Sequence, residues 1–288
     1  MPELPEVETI IRDLKKVVLK RTFLDVWTDF PQMAKKLSFE KFKKEIVGKK
    51  IEDIERRGKN IIFDLSEKKY LLVHQKLTGH LLIGKWQWQK GKWISLIKGP
   101  LEEPVNLFIH LMFWLSGDLM LALSDLRKFA KVELLTKEEL EKELKEIGPE
   151  PLEKNFTFEK FQECLKNKKG KIKQVLMDQK VIAGIGNIYS DEILWQAKIH
   201  PFKDVSLLTK NELEKIFLAI KEILPKAIKL GGESIADFRR PSGERGYFDL
   251  ERKVYQREEE KCFRCGTKIK RLKLAGRSAH YCPNCQKI

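Results

Sequence analysis

Apolar side chains recur every three or four residues at the start of the chain, at Val7, Ile10, Ile11, Leu14, Val17 and Val18. This spacing predicts an amphipathic helix over residues 5–20. Pro5 suits the first turn of a helix, and Glu6 and Glu8 lie where acidic side chains complement the positive end of the helix dipole.

Between about residues 22 and 135 the pattern changes to short apolar runs that predict strands. They cover Phe23–Trp27, Ile51–Ile54, Asn60–Leu65, Tyr70–His74, Leu107–Leu115, Leu119–Leu123 and Lys131–Leu135. The most apolar stretch, Val105–Leu123, is interrupted by His110 and by Ser116-Gly117-Asp118, so it predicts a buried β-hairpin and not a membrane span. Residues 85–98 hold three tryptophans and predict a solvent-exposed excursion, for which hairpin packing is favoured over contact with DNA or protein.

Beyond residue 135 the pattern becomes helical. A charged helix is expected over 136–150, ending at a hinge at Gly148-Pro149, followed by helices at 157–168, 170–177, 188–197 and 209–229. Residues 231–249 are rich in Gly, Arg and Ser and predict a mobile loop. We therefore expect an α+β, multidomain chain with a first domain over 1–135, a linker over 136–150, a helical domain over 151–232 and a final segment over 233–288.

Charge narrows the class of partner. The chain has 57 Lys and Arg against 42 Asp and Glu, a formal net charge of +15. Such an excess favours DNA or RNA and a salt-dependent affinity, although a lysine-rich solvated surface is the alternative. The first ten residues hold three glutamates and no basic segment, so no signal peptide is expected. Together with the unpaired Cys164, this predicts a reducing cytoplasm.

Four cysteines near the C-terminus have the spacing of a metal site. Two C-x2-C pairs, Cys262 and Cys265, and Cys282 and Cys285, supply the thiolates that tetrahedral Zn²⁺ needs. The segment that holds them is heavily basic, at Lys261, Arg264, Lys268, Lys270, Arg271, Lys273 and Arg277. We expect one structural zinc ion and contact with nucleic acid; the alternative is a zinc knuckle that only fastens the end of the chain.

A glycine-containing turn, Ala183-Gly184-Ile185-Gly186-Asn187, precedes a predicted helix. Glycines let backbone N–H groups approach a phosphate, and a helix N-terminus favours an anion. The turn lacks the third glycine of a dinucleotide fingerprint and no βαβ pattern surrounds it, so a nicotinamide cofactor is excluded. With Asn187 as N-cap, the motif would bind a DNA backbone, while a purely structural turn is the alternative.

Several motifs together resemble bacterial formamidopyrimidine-DNA glycosylase, also called 8-oxoguanine DNA glycosylase. They are the N-terminal MPELPEVET, then RRGK, SDLRKF, IKQVLMD, AGIGNIYSDEILW and AGRSAHYCPNCQ, in register over residues 2 to about 286. Leu4 stands where the related endonuclease VIII branch has glycine. The resemblance implies an N-terminal β-sandwich, a helix–two-turns–helix domain, a lesion-capping loop and a zinc ribbon.

The resemblance also implies a catalytic set. Pro2, freed by removal of Met1, would attack sugar C1′ with its secondary amine, and Glu3 would protonate the opening deoxyribose ring. Lys59, in the RRGK motif, would act near the lesion and in β-elimination. Arg277 would grip the phosphates that flank the lesion and aid δ-elimination.

A second set of residues is implied to bind DNA. Lys169, Lys173 and Asn187 would bind backbone phosphates, and Tyr189 would brace the motif. Arg127 and Phe129 would fill the space left by a flipped nucleotide, although Phe129 as ordinary core is the alternative. Taken singly, any of these cations would more often be a solvated surface charge.

One loop departs from the family pattern His-Leu-Gly-Met-Ser/Thr-Gly. Here His74 is followed by Gln75, Lys76 in place of glycine, and Leu77 in place of the methionine that enters the duplex. A near volume-conserving exchange keeps Leu77 able to fill space, and Lys76 is expected to turn to a phosphate. Phe108 stands where a DNA-contacting histidine is common, while His110 remains.

These observations favour a bifunctional glycosylase and abasic-site lyase acting on oxidised purines in double-stranded DNA, as a cytoplasmic monomer with no membrane partner. Two alternatives stay open. One is the same scaffold with a preference for oxidised pyrimidines or another lesion. The other is a zinc-containing DNA-binding protein without activity, against which the intact Pro2, Glu3, Lys59 and Arg277 argue.

Overall fold

A computed structural model describes residues 1–234 and 237–288. These residues form two compact units: Met1–Lys145 with Leu230–Asp249, and Glu146–Lys229 with Leu250–Ile288. The sequence grouped residues 233–249 with the zinc segment, but in the structure residues 233–234 and 237–249 belong to the N-terminal unit.

The N-terminal unit begins with α1 (Leu4–Val18) and contains two four-stranded antiparallel sheets. One sheet has the order β1-β8-β9-β5, with β1 (Phe23–Thr28), β5 (His80–Gly84), β8 (Ile109–Leu115) and β9 (Leu119–Ser124). The other has the order β10-β4-β3-β2, with β2 (Ile51–Arg57), β3 (Asn60–Leu65), β4 (Lys69–His74) and β10 (Lys131–Leu135). All seven predicted strands are therefore confirmed.

The core of this unit lies where the two sheets and α1 meet. Phe23 and Phe113 come from the first sheet, Phe63 from the second and Leu14 from α1, and all four are almost fully buried within one apolar cluster. The alternating burial that predicted the strands places these side chains inward. The predicted N-terminal β-sandwich with an amphipathic helix is thus present.

Residues 85–98 are mostly exposed, as the sequence predicted, with two of the three tryptophans buried. They contain the hairpin of β6 (Trp86–Gln89) and β7 (Lys92–Ser95), in which Trp86 and Trp93 are buried. The rings of Trp88 and Trp93 both pack on Trp27 of β1. Packing on the first sheet explains the tryptophans, as the hairpin interpretation expected. Two short helices, α2 (Phe39–Ile46) and α3 (Lys137–Leu144), complete the unit.

The second unit contains α4 (Phe158–Leu165), α5 (Ile172–Met177), α6 (Asn187–Ala197) and α7 (Lys210–Lys229), followed by the antiparallel pair β11 (Lys270–Leu274) and β12 (Arg277–Tyr281). The four predicted helices are confirmed, with ends that differ by a few residues. Of the helices in the described ranges, none combines the length and the apolar character that a bilayer crossing requires.

Candidate active site and DNA-binding surfaces

The chain starts at the N-terminus of α1, where Met1 is 42% exposed and the two residues after it are buried. Pro2 is buried, and Glu3, the N-cap residue, is 2% exposed. The Glu3 amide donates to Glu6 Oε2 at 2.7 Å, and the Glu233 amide donates to Glu6 Oε1 at 2.8 Å. The buried Glu6 carboxylate therefore fixes the first residues against the segment that follows α7.

The α-amino group of Met1 has a lowered pKa. Burial is the main cause, because an ammonium is less well solvated there than in water. The nearby carboxylates of Glu3 and Glu6 raise the pKa, and the ammonium of Lys59 lowers it. The environment thus favours a neutral amine, the form that can act as a nucleophile.

Lys59 lies in the tight turn that joins β2 to β3, where Arg57 pairs with Asn60. Gly58 has a φ of 58°, a conformation that glycine adopts without strain, and Lys59 is 7% exposed. Arg56 Nε donates to Glu8 Oε2 at 3.1 Å and so joins the hairpin to α1. The hairpin and α1 together hold Lys59 close enough for its charge to act on the terminal amine.

The loop between β4 and β5 contains the departures from the family pattern. Lys76 keeps a left-handed conformation with a φ of 56°, so it occupies a backbone geometry suited to the glycine it replaces. Its amide donates to His74 Nδ1 at 3.0 Å. Burial, reinforced by the charges of Lys76, Lys131 and Lys59, lowers the pKa of His74 to about 3. His74 is therefore neutral at physiological pH.

A second exposed loop, between β9 and β10, presents apolar side chains to solvent. Leu126 and Phe129 are 52% and 51% exposed, and the Arg127 guanidinium lies 4.5 Å from the centre of the Phe129 ring. The buried Asp125 holds the loop's backbone: its Oδ2 accepts from the Ala130 amide at 2.7 Å. Phe129 is not core, and this loop carries exposed apolar and cationic groups on a rigid base.

His110, in β8 of the same unit, is 2.9 Å from Asp29 through Nδ1. This contact leaves Nε2 as the ring nitrogen available to an outside partner. Phe108, just before the strand, is 38% exposed.

In the second unit the turn before α6 has the predicted form, with one correction. Gly186 is the N-cap and Asn187 is the first helical residue, so Asn187 is not the cap that the sequence predicted. Its Nδ2 donates to Ser278 Oγ at 3.3 Å, and its Oδ1 has no hydrogen-bond partner in residues 1–234 and 237–288. The Gly186 N-cap forms no side-chain hydrogen bond to the first turn of α6.

Lys173, in α5, is 1% exposed, unlike the exposed Lys169. Its Nζ donates to Asp191 Oδ1 at 2.5 Å and to the Ser278 carbonyl at 2.7 Å. Asp191 Oδ2 in turn accepts from the amide and the Nδ1–H of His280, at 2.9 and 3.0 Å. Lys173 thus joins α5, α6 and β12 at a buried ion pair.

Arg277 begins β12 and is exposed. It borders an open cavity of about 170 Å³ that Lys173, Gln174 and Met177 of α5 also line. Tyr189 is fully buried in α6, as a residue that braces the motif would be. Arg264, by contrast, stacks on Trp195 with its guanidinium 3.6 Å from the ring centre, so not every cation of this segment faces outward.

The four cysteines converge as the spacing predicted. The sulfur atoms of Cys262, Cys265, Cys282 and Cys285 all lie within 4.8 Å of one another. Cys265 Sγ is 3.4 Å from Cys282 Sγ and 3.5 Å from Cys285 Sγ, and the Cys262–Cys285 distance is 4.0 Å. Tetrahedral zinc with Zn–S bonds of about 2.3 Å separates its sulfurs by about 3.8 Å. The four residues therefore fit one zinc ion.

Comparisons with known proteins cover the whole chain. The family models described as the formamidopyrimidine-DNA glycosylase N-terminal domain, the formamidopyrimidine-DNA glycosylase H2TH domain and the zinc finger found in FPG and IleRS match residues 1–132, 147–239 and 259–288. The formamidopyrimidine-DNA glycosylase of Carboxydothermus hydrogenoformans is 42% identical over 100% of both chains. That of Lactococcus lactis subsp. lactis is 39% identical over 99% of both.

Solved structures agree. A complex of Lactococcus lactis Fpg with DNA containing an abasic site is 37% identical, with a TM-score of 0.88 over 99% of this chain and 100% of that one. A complex of MutM with DNA containing carbocyclic 8-oxo-G is 38% identical, with a TM-score of 0.87 over 100% of both.

A catalytic β-sandwich, a helix–two-turns–helix domain and a four-cysteine zinc finger define a DNA glycosylase of DNA repair. The chain belongs to the formamidopyrimidine-DNA glycosylase family, whose members are glycosylases and abasic-site lyases.

Sequence reasoning missed the residues that hold this site together. It assigned Glu6 only to the helix dipole, and it gave no role to Asp191 or His280. Each acts through a partner that is far away in the sequence. Glu6 and Glu233 are 227 residues apart, and Asp191 and His280 are 89 residues apart. The signal available was chemical: an acidic residue on the apolar face of a predicted helix needs a partner.

Proposed function

We propose that this chain is a bifunctional DNA glycosylase and abasic-site lyase of base excision repair, with Pro2 as the nucleophile and oxidised purines as substrates. The observation that carries the proposal is the N-terminus of α1, where the buried Glu3 and Lys59 lie close enough to affect the pKa of the Met1 amine beside Pro2. The enzyme would act on double-stranded DNA as a monomer in the cytoplasm.

The chemistry begins once Met1 has been removed. The Pro2 amine attacks C1′ of the damaged nucleoside, the C1′–N bond breaks, and the base leaves with a proton. The sugar ring opens to an iminium as Glu3 protonates the ring oxygen. Loss of a C2′ proton then expels the 3′ phosphate, and a further elimination expels the 5′ phosphate. Water finally releases the amine.

Burial lowers the pKa of the Met1 amine, which is one residue away from Pro2. This supports the role of Pro2, because its amine would become the chain terminus at the adjoining position once Met1 is removed. An α-amine titrates at about 7.7–8.0 in model peptides, against about 10.4 for lysine. A further decrease increases the fraction of free base at neutral pH. Lys59 disfavours a second positive charge beside it and would act in β-elimination.

DNA contacts are proposed for both units. In the N-terminal unit His74, Lys76 and His110 would contact DNA, while Leu77, Arg127 and Phe129 would fill the space left by the flipped nucleotide. In the second unit Lys169, Asn187 and Arg277 would bind phosphates, with Tyr189 as a brace. Lys173, which the sequence also assigned to a phosphate, would instead act through its buried ion pair with Asp191. The exposure of Phe129 and of Arg277 supports these assignments.

Borohydride trapping with abasic DNA tests the proposal, because reduction of an iminium leaves a covalent protein–DNA adduct. Pro2→Gly, or a blocked N-terminus, should abolish the adduct while affinity for abasic DNA stays within severalfold. Undiminished trapping would identify a lysine as the nucleophile.

Glu3→Gln separates the two activities. It should slow base excision more than cleavage at an existing abasic site, because only base loss requires the acid that opens the ring. The same assay over a panel of oxidised purines and pyrimidines decides lesion preference. Faster excision of pyrimidines would contradict the purine assignment.

A further inference from the structure

A buried polar network in the N-terminal unit connects the two loops proposed to open the duplex. Thr78 Oγ1 donates to Asp125 Oδ1 and accepts from the Arg127 amide at 3.2 Å. Asp125 is 0% exposed and also holds the Ala130 amide. The loop that carries Leu77 and the loop that carries Phe129 therefore share one anchor.

The network continues away from these loops through two further buried side chains. His80, the first residue of β5, is 1% exposed, and its Nδ1 lies 3.2 Å from the Thr78 carbonyl oxygen. Its Nε2 lies 2.9 Å from Asn106 Oδ1. Both oxygens accept, so the neutral ring donates a hydrogen bond to one of them, and the backbone from Thr78 to His80 completes the connection. Asn106 is 0% exposed and donates through Nδ2 to the carbonyls of Pro100, at 2.7 Å, and Gly243, at 3.3 Å.

Gly243 belongs to the segment after α7, which the sequence predicted to be a mobile loop. In the described part of this segment the backbone is anchored. The Ile83 amide donates to the Pro241 carbonyl at 2.8 Å, and Arg240 forms a two-point ion pair with Asp13. Gly243 has a φ of 86°, and a Cβ there would lie 2.8 Å from the Leu101 amide nitrogen, so only glycine fits against residues 100–101.

We infer that the chain Asp125–Thr78–His80–Asn106 couples the two duplex-opening loops to the docked segment around Gly243, with His80 and Asn106 as positioning residues. The inference rests on the proposed function, because it assigns those loops to opening the duplex. Asn106 is suited to the role because its side-chain oxygen faces His80 while its side-chain nitrogen donates to the carbonyls of Pro100 and Gly243. A buried group of this kind costs free energy when either partner is lost.

Asn106→Asp tests the link most directly. Aspartate keeps an acceptor for His80 and loses the donors to Pro100 and Gly243. Thr78→Val keeps the volume and removes the hydroxyl that joins the two loops. We expect each variant to slow single-turnover excision from duplex DNA at least tenfold. Borohydride trapping on single-stranded abasic DNA should stay within twofold, because no stack has to be opened there.

The double variant decides between coupling and separate damage. If the residues act through one network, Thr78→Val with Asn106→Asp should be within threefold of the worse single variant. A loss equal to the product of the two single losses, about a hundredfold or more, would overturn the inference.

Two further variants keep the test independent of folding defects. Leu82→Ala removes a buried side chain from β5 without touching the network, and it should lower thermal stability while leaving the ratio of duplex excision to single-strand trapping unchanged. Gly243→Ala pushes the docked segment away from residues 100–101 and should reproduce the duplex-specific loss. An equal loss in Leu82→Ala, or none in Gly243→Ala, would refute the coupling. Failure of the proposed function would instead appear as absent trapping in the wild type.

Discussion

Replacing Lys173 by methionine should destabilise the second unit strongly. The ammonium and the Asp191 carboxylate are 2.5 Å apart with side chains 1% and 0% exposed. Lys173→Met keeps the chain length and leaves an uncompensated carboxylate, which still accepts from His280. Removing one partner of a buried pair costs about 3–5 kcal/mol. For a unit of this size, that corresponds to a decrease in Tm of at least about 10 °C.

The same variant tests whether Lys173 also binds a phosphate. A residue that neutralises one phosphate contributes about 0.9 to the slope of log Kobs against log salt concentration. Because Nζ donates to Asp191 and to the Ser278 carbonyl, we expect the affinity of Lys173→Met for DNA to fall with little change in slope. Arg277→Ala, at an exposed position, should lower the slope by about 0.9 and leave Tm nearly unchanged.

Calorimetry gives the stability of each variant, and salt titration of DNA binding gives the slope, so together they show whether Lys173 stabilises the fold or binds a phosphate. The double variant Lys173→Met, Asp191→Leu should lose less stability than the sum of the losses in the two single variants. Neither charge of the ion pair is then left buried without its partner. If Lys173→Met instead melts within 2 °C of the wild type and lowers the slope by about 0.9, the residue is a phosphate ligand and the structural reasoning is wrong.

Three further predictions follow from the described geometry. Cys265→Ser should release zinc, detected with a chromophoric chelator, and weaken DNA binding, because a structural zinc site contributes directly to folding; a metal-free protein with full activity would contradict this. Phe129→Ala should slow excision from duplex DNA more than Leu77→Ala does, since Phe129 is the more exposed of the two side chains; equal losses would show that both loops fill the duplex to the same extent. His74 has a pKa of about 3 in the folded protein, so below about pH 6.5 it takes up a proton in the unfolded chain but not in the folded one. The free energy of unfolding should therefore fall by about 1–2 kcal/mol by pH 5. In thermal melts, His74→Gln should remove that part of the pH dependence.

Local patterns predicted the elements of this fold well wherever burial alternates along the chain. The strand Asn60–Leu65 was predicted with its observed bounds, and α6 was predicted to within one residue. The short helix Phe39–Ile46 was missed, although Ser38 caps it through its hydroxyl as a sequence signal would suggest. Strand β5 was missed because its residues follow a loop without a clear turn signal.

In the candidate site, only features formed by residues close together in the sequence could be predicted. The cysteines have a spacing that metal geometry dictates, so their convergence could be expected from the sequence. The anchors of the site could not be expected, because they join positions far apart. Asn106 and Gly243 are 137 residues apart, and nothing in either neighbourhood indicates the other. Such contacts follow from the tertiary fold and leave no periodic pattern in the chain.

The altered loop between β4 and β5 shows what the scaffold tolerates. Lys76 holds a left-handed backbone that costs a non-glycine residue about 1–2 kcal/mol, and the Gln75 amide finds no hydrogen-bond partner within the described residues although it is 1% exposed. Neither residue stabilises the protein in the absence of DNA, since a buried amide without a partner also costs about 1–3 kcal/mol. The loop keeps its shape because Thr78 and Asp125 fix one end and His74 accepts from the Lys76 amide at the other. These contacts thus allow Gln75 and Lys76 to differ from the family pattern while the loop keeps its shape.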